Sequence, residues 1–246
     1  MSNNESKVVN IPDIQERVFK KLTEYGWGEA LKYFIKGDDY YKIMKTLAHE
    51  VSIGKRFTPR VAESINAFRY CNYDDLKVVL IGQDPYPQFG VADGLAFSCS
   101  VKMKPEASLR YILKAIDKTV YPDRKPDLLD YSNRCDLKPW ARQGVLLLNT
   151  ALSTEIGKAG SHQELWKPFV GSLIDHFNHH KPGLIYILLG KKAQEWEDMI
   201  EDTAKVLKAS HPASAAYSKL QDWDCNDIFN ETNKLLGDQE LPEIVW

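Results

Sequence analysis

The chain has 246 residues, of which 43% are hydrophobic, 27% charged and 11% aromatic. This is the composition of a globular protein, and it excludes a disordered tail, a disulfide-stapled miniprotein and a collagen-like fibre. The formal net charge of −2 argues, taken alone, against a partner as anionic as DNA. The charge is unevenly distributed, however, because residues 221–246 carry −6 and residues 1–220 therefore carry +4.

The four cysteines are scattered along the chain and form no CxxC pair. This spacing favours buried free thiols over a zinc site or a disulfide framework. The N-terminal residues lack the pattern of a signal peptide, and no apolar stretch has membrane-spanning length. We therefore expect a cytoplasmic protein without membrane association. No Pro-, Gly- or Ser-rich linker interrupts the chain, so we expect a single domain over residues 1–246.

The first part of the chain, roughly residues 12–70, has the apolar spacing of helices, and we expect residues 1–55 to form a helical N-terminal part. One apolar stripe contains Val18, Phe19, Leu22 and Trp27, and another contains Leu31, Phe34 and Ile35. At the other end, residues 221–246 form an acidic part. There we expect a solvated helical face, with Phe229, Leu235 and Leu236 packed inward.

Short, continuous apolar runs occupy residues 78–81, 145–148 and 184–189, and a weaker run covers residues 205–210. Such runs, separated by helical stretches, are typical of parallel strands that are covered on both faces. The sequence therefore predicts an α/β fold. Its centre is a four-stranded, mainly parallel sheet, flanked by helices in a three-layer α/β/α arrangement.

Polar residues or glycine stand at or just beyond the end of each predicted strand, namely Asp84, Asn149, Gly190 and His211. In open α/β sheets, ligands bind beyond the carboxyl ends of the strands. Taken singly, an Asp before Pro is more often a turn residue, an Asn a helix cap and a His a loop residue. An acid, an amide and an imidazole at the same edge together predict an active site.

Five sequence blocks carry a resemblance to a known family. Residues 82–87 read GQDPYP and are followed by DGLAFS at 93–98. The later blocks are PEASL at 105–109, WARQGVLLLNT at 140–150, AGSH at 159–162 and SHP at 210–212. In this order and spacing they resemble the main, uracil-specific family of uracil-DNA glycosylases, over about residues 56–236.

The resemblance implies the family's fold and its reaction, in which the N-glycosidic bond of deoxyuridine in DNA is hydrolysed. Free uracil is released and an abasic site remains, the first step of base excision repair. By the same resemblance, Asp84 faces the cationic sugar and activates the water. His211 stabilises the departing uracil anion as a neutral imidazole. We expect no cofactor and no metal.

The resemblance also assigns the uracil-binding residues. The amide of Asn149 matches uracil N3–H and O4, whereas cytosine presents the reverse pattern. Tyr86 rejects the methyl group of thymine, Phe97 stacks on the flipped base, and Gln83 helps to hold it. Outside this motif, Tyr86 and Phe97 would be interpreted as ordinary core aromatics.

The DNA-binding loops depart from the family pattern. Ser108, Ser161 and Ser214 are expected to bind backbone phosphates. The family has His where this chain has Pro87, which predicts an altered grip or rate without a change of reaction. The family's loop HPSPLS inserts its Leu into the minor groove, and this chain reads HPASAAYS at 211–218. By register Ala215 takes the place of the Leu but is too small to fill the gap, so Tyr217 is a candidate replacement.

The altered loop predicts a preference for single-stranded substrate, because a wedge matters less where no duplex must be held open. Expected partners are uracil-containing DNA, single- or double-stranded, and proteinaceous inhibitors that mimic DNA. We expect the protein to be a monomer. Two alternatives remain open, a related glycosylase with relaxed base choice and a uracil- or DNA-binding protein that has lost catalysis. Retention of Tyr86 and Asn149 argues against the first, and retention of Asp84 and His211 against the second.

Overall fold

The computed structural model describes residues 10–102, 104–124, 134–218 and 220–246. Its central sheet consists of four parallel strands in the order β3-β2-β5-β6. The strands are β2 (Val78–Gly82), β3 (Val145–Asn149), β5 (Ile185–Leu189) and β6 (Lys205–Ala209). Each predicted strand is found within one residue at either end, and the predicted fold class is confirmed. The short antiparallel pair β1 (Phe57–Thr58) and β4 (Thr154–Glu155) was not predicted.

The two faces of the sheet are covered along most of its width. Every residue of β2, β3 and β5 is buried. This explains why these strands are continuous apolar runs without polar alternation. The outer strand β6 is less covered, since only its last residue, Ala209, is buried. Its mixed composition made it the weakest of the four strand predictions.

Helices surround the sheet and occupy the N-terminal region. They are α1 (Ile11–Glu24), α2 (Gly28–Ile35), α3 (Asp38–Ser52), α4 (Asn66–Tyr70), α5 (Ala107–Thr119), α6 (Lys138–Ala141), α7 (Gln163–His180), α8 (Lys191–Gln194), α9 (Ala213–Tyr217) and α10 (Ile228–Asp238). Within the described part of the chain, no helix is both long enough and apolar enough to cross a bilayer.

The predicted helical N-terminal part is observed from α1 to α3, and its residues 1–9 lie outside the described residues. Both apolar stripes face the core. Leu22, Trp27, Leu31, Phe34 and Ile35 are buried, while Val18 and Phe19 are half-buried against the core. The indole N–H of Trp27 donates a 2.7 Å hydrogen bond to the carbonyl of Cys71, so burial of this large ring leaves no unpaired donor.

The acidic C-terminal part packs as predicted, with Phe229 and Leu236 of α10 buried and Leu235 half-buried against the core. The cysteines Cys71, Cys99, Cys135 and Cys225 are buried free thiols, which confirms the reading of their spacing. Burial raises the pKa of the Cys71 and Cys99 thiols to about 12, so both remain protonated and unreactive at neutral pH.

Candidate active site

A pocket of about 320 Å³ opens at the carboxyl edge of the sheet. Its volume lies at the lower end of the range for small-molecule sites. The site residues predicted from sequence that line it are Gln83, Asp84, Tyr86, Phe97, Ser108, Asn149, His211 and Tyr217. These residues come from five separate segments of the chain, so the topology brings together groups that are distant in sequence.

Asp84 lies in the loop that follows β2 and is half-buried. The backbone N–H of Gly160 donates to its Oδ2. Burial raises the pKa of Asp84 above the ordinary value, while the Gly160 hydrogen bond and the nearby polar side chains of Thr154 and Gln83 oppose the rise by stabilising the charged form. The site thus holds a partly desolvated carboxylate with a fixed backbone donor.

His211 follows β6 and is half-buried against the pocket. Its Nδ1 accepts a 3.2 Å hydrogen bond from the backbone N–H of Ala213. The neutral ring therefore carries its proton on Nε2, which is left as a hydrogen-bond donor. Burial lowers the pKa of His211, so the imidazole is neutral at neutral pH.

Two glycines at strand ends make room for these side chains. A Cβ atom on Gly82 would lie 2.8 Å from Oδ1 of Asn149 and 2.9 Å from Cε2 of Phe97. Gly190 has a φ of +89°, and a Cβ there would lie 2.7 Å from Cβ of His211. Any larger residue at either position would displace a pocket side chain.

Phe97 adopts a φ of +63°, which non-glycine residues rarely do. Its ring lies 5.6 Å from the His211 ring, centroid to centroid, and beside the buried amide of Asn149 across Gly82. The Tyr86 hydroxyl donates a 3.1 Å hydrogen bond to the Phe97 carbonyl, and this helps to hold the unusual conformation. Backbone strain of this kind is typically found at functional sites.

Tyr86 lines the pocket beside the first turn of α5, which contributes Ala107 and Ser108 to the same lining. Burial raises the pKa of Tyr86 far above its ordinary value, so the hydroxyl stays a neutral donor. Ser108 occupies the same helical turn and is buried where it lines the pocket.

Several supporting residues were missed in the sequence. The buried carboxylate of Asp93 accepts hydrogen bonds from the backbone N–H groups of Leu95 and Ser100 and from the Ser98 hydroxyl. It thereby organises the loop that presents Phe97. The Asp-Gly pair with Ser five residues beyond Asp93 was an available turn signal. The Thr150 hydroxyl donates to the Gln83 carbonyl, a contact that no sequence pattern reveals.

Three predicted DNA-binding residues do not line the pocket. The Ser161 hydroxyl accepts a 2.7 Å hydrogen bond from the backbone N–H of Glu155 and lies 3.1 Å from the Thr154 hydroxyl. Ser214 is exposed, and its hydroxyl donates to the Ser210 hydroxyl at 3.3 Å. The third residue, Ala215, is only 1% exposed.

The burial of Ala215 differs from the prediction that it contacts DNA. Residues 213–217 form the short helix α9, which packs against α5, and the helical spacing turns Ala215 inward. Tyr217, on the same helix, is 86% exposed at the rim of the pocket. Pro87 also lines the pocket, and its carbonyl accepts a 2.9 Å hydrogen bond from the Gly157 N–H.

The fold and the pocket together place an acid, an amide and an imidazole around one small cavity at the carboxyl edge of a parallel α/β sheet. The family model of the uracil DNA glycosylase superfamily matches residues 68–236. The uracil-DNA glycosylase of Francisella philomiragia is 36% identical over 223 residues, which cover 89% of this chain and 98% of that protein. Uracil-DNA glycosylase 1 of Listeria innocua is 34% identical over 223 residues, covering 89% of this chain and 96% of that protein.

Solved structures agree on the fold. A variant of mimivirus UNG in complex with UGI superposes with a TM-score of 0.78 at 22% identity, covering 92% of this chain and 90% of that one. The chain therefore belongs to the uracil-DNA glycosylase superfamily. The family resemblance inferred from the five sequence blocks is confirmed.

Proposed function

We propose that this chain hydrolyses the N-glycosidic bond between uracil and deoxyribose in DNA, releasing uracil and leaving an abasic site. The observation that carries the proposal is the convergence of Asp84, Asn149 and His211 in one pocket of about 320 Å³. Because the glycosidic bond is inaccessible inside a stacked helix, the nucleotide must be flipped into this pocket before reaction.

Uracil is selected by hydrogen bonding and shape. The buried amide of Asn149 pairs with N3–H and O4, and cytosine in the same place would set donor against donor. The Phe97 ring supplies a stacking surface beside that amide, and the loop at Gln83 closes around the base. Tyr86 stands where the methyl group of thymine would have to fit. Retention of these groups favours uracil over a relaxed base choice.

The reaction separates charge, and the pocket stabilises both the positive sugar and the negative base. As the C1′–N1 bond breaks, the electron pair leaves with uracil and the sugar becomes an oxocarbenium-like cation. The Asp84 carboxylate stabilises that cation and orients a water molecule, whose oxygen bonds to C1′ while its proton is taken up at the carboxylate. The Nε2–H of His211 donates to uracil O2, where negative charge accumulates. The released uracil anion takes its proton from solvent.

DNA is gripped, in this proposal, by Ser108, Ser161 and Ser214 on the phosphate backbone and by Tyr217 as the wedge that replaces the flipped base. The exposure of Tyr217 at the pocket rim supports the wedge, as does the burial of its neighbour Ala215. The proposal keeps both single- and double-stranded DNA as substrates, with single strands preferred.

We also propose that the protein acts as a monomeric, single-domain enzyme in the cytoplasm. The acid, the amide and the imidazole that the proposed reaction needs are all supplied by this chain, so the reaction requires no residue from a second copy. Four buried free thiols are compatible with a reducing compartment. We propose in addition that inhibitor proteins mimicking DNA bind over the pocket. A mimivirus UNG variant, which has the same fold as this chain, forms a complex with UGI, and that complex motivates the proposal of an inhibitor.

The deciding experiment measures free base released from oligonucleotides that contain uracil, thymine or hypoxanthine. We expect release of uracil alone. Release of hypoxanthine or thymine would favour the relaxed glycosylase. Tight binding of uracil-containing DNA without any release would favour a binding protein and remove the proposal.

The matched variant is Asp84→Asn, which retains an oxygen to accept from Gly160 N–H. Its turnover should fall by orders of magnitude. Because the fold raises the pKa of Asp84, the ionised carboxylate costs folding free energy at neutral pH. The variant should therefore melt at the same temperature as the wild type or above it, which separates lost chemistry from lost folding.

A further inference from the structure

A second hollow, of about 510 Å³, lies beside the catalytic pocket. Its walls include Ile53, Arg56, Phe89 and Ile156. The Phe89 side chain is 70% exposed, a large apolar surface for a residue in a polar loop. No role in the proposed reaction accounts for this aromatic ring.

The loop that lines the catalytic pocket also supplies a wall of the second hollow. Pro87 lines the catalytic pocket, and Phe89 lines the second hollow only two residues later. The N–H of Gly157 donates to the Pro87 carbonyl at 2.9 Å, and the N–H of Ile156 donates to the Arg56 carbonyl at 2.9 Å. These contacts tie the loop of Phe89 to the rim of the catalytic pocket, so the second hollow lies next to a DNA strand that is bound there.

The charge in this hollow favours an anionic partner. The Arg56 guanidinium lies 4.8 Å from the centroid of the Phe89 ring. In the described ranges no carboxylate lies within ion-pair distance of Arg56. Glu155, the acid that lines the hollow, is already paired with Lys158 at 2.7 Å and with Lys55 at 3.5 Å. An unpaired cation beside an exposed ring is the combination that binds single-stranded nucleic acid.

We propose that this hollow binds an unpaired nucleotide that flanks the uridine, and the proposal rests on the function proposed above. The base stacks on the face of Phe89 that Arg56 leaves open, and the neighbouring phosphate pairs with Arg56. In a duplex both faces of each base are already stacked, so this surface recognises single strands. It is a subsite that favours single-stranded substrate independently of the Tyr217 wedge.

The test measures binding of a single-stranded oligonucleotide without uracil by fluorescence anisotropy. Phe89→Ala should weaken the affinity about tenfold, the loss expected for one stacked base. Phe89→Trp should keep it. Tyr33→Ala is the matched control, because Tyr33 is 87% exposed on α2 and should not affect binding. Equal affinity of Phe89→Ala and wild type would overturn the proposal.

Two further measurements, of duplex binding and of salt dependence, separate base stacking from nonspecific electrostatic attraction. On a fully paired duplex Phe89→Ala should bind as the wild type does, and an equal loss on duplex and single strand would overturn the proposal. On the single strand, Arg56→Gln should reduce the slope of log affinity against log salt concentration by about 0.7, the value for one phosphate contact. An unchanged slope would remove Arg56 from the site.

Turnover distinguishes this proposal from the function itself. On a uracil oligonucleotide too short to reach the second hollow, Phe89→Ala should have the wild-type kcat, and a lowered kcat would place Phe89 in the chemistry instead. If wild-type protein releases no uracil from any substrate, the proposed function fails. The binding comparison on uracil-free DNA still decides whether Phe89 is a nucleotide subsite.

Discussion

The catalytic pocket and the segment 211–218 that borders it are built in opposite ways. Pocket side chains stand at or beyond the carboxyl ends of the strands and are held by hydrogen bonds to backbone and by close packing against Gly82 and Gly190. Beyond His211 the chain forms only the short helix α9, which exposes Ser214 and Tyr217. The first region matches the family blocks closely, and the second departs from them.

This difference indicates that the chemistry on uracil and the binding of DNA place different demands on the structure. Uracil recognition and bond cleavage require groups positioned to a fraction of an ångström, so the pocket residues are fixed by the sheet and its loops. Gripping DNA requires only that some side chain of suitable size and polarity reaches the strand. Changes in the pocket should therefore alter the chemistry, whereas changes in α9 should alter the choice between duplex and single strand.

The largest effect is expected at the imidazole. His211→Ala removes the donor to uracil O2, and kcat should fall about 100- to 1,000-fold with little change in KM. Steady-state release of uracil from a single-stranded oligonucleotide measures both constants. His49→Ala, an exposed histidine on α3, is the control. A wild-type kcat for His211→Ala would show that the leaving group needs no such donor.

Gly82→Ala tests whether the pocket depends on close packing. The added Cβ would lie under 3 Å from both Asn149 and Phe97, so the two side chains proposed to hold uracil must move apart. We expect kcat/KM to fall about 100-fold, as for an ångström-scale misplacement. Gly237→Ala is the matched control, because a Cβ there meets nothing within 4 Å. If the two variants are equally active, the spacing at the strand end is unimportant.

Acid pH should inactivate the enzyme in a defined direction. Burial raises the pKa of Asp84, so the fraction of carboxylate begins to fall at a higher pH than for an exposed Asp. The pKa of His211 is lowered, so the ring is already neutral at pH 7. Below the pKa of Asp84, kcat should drop about tenfold per pH unit. The residual activity of Asp84→Asn should lack this limb, and a wild-type rate that rises on acidification would contradict the assignment.

The smallest effect is expected in α9. Tyr217→Ala should lower kcat/KM on duplex uracil DNA about five-fold and leave single-stranded substrate nearly unchanged, because only a duplex leaves a gap to fill. Competition between the two substrates in one tube measures the ratio directly. Tyr217→Leu should restore part of the duplex rate. Equal cleavage of the duplex by Tyr217→Ala and wild type would end the wedge assignment.

Much of the fold was predictable because buried parallel strands have an unmistakable composition. The strands predicted at 78–81 and 145–148 are each one residue longer in the structure. They end at Gly82 and Asn149, because backbone pairing continues past the last apolar side chain. The order of the strands was not predictable. It depends on which crossover packs against which face, and apolar runs of similar length are interchangeable in that respect.

The lining of the pocket was predictable where a reactive side chain stands at a strand end, as at Asp84 and His211. The supporting contacts were not predictable where the backbone makes them. Gly160 acts through its N–H and Thr150 reaches the carbonyl of Gln83, so neither residue type reveals its role. The helix α9 was missed because the segment was interpreted through the family's loop, although Ala213, Ala215 and Ala216 have high helix propensity.

The order of the strands has a consequence for how activity is lost on partial unfolding. His211 is attached to β6, the least covered of the two edge strands, whereas Asp84 follows the central strand β2 and Asn149 ends the edge strand β3, which is buried throughout. A strand with one neighbour and partial exposure opens at lower free energy than one that is fully buried. Under mild denaturant the imidazole should therefore leave the pocket while the acid and the amide are still in place. At denaturant concentrations between inactivation and unfolding, this state would still bind the flipped uracil but could not cleave its glycosidic bond.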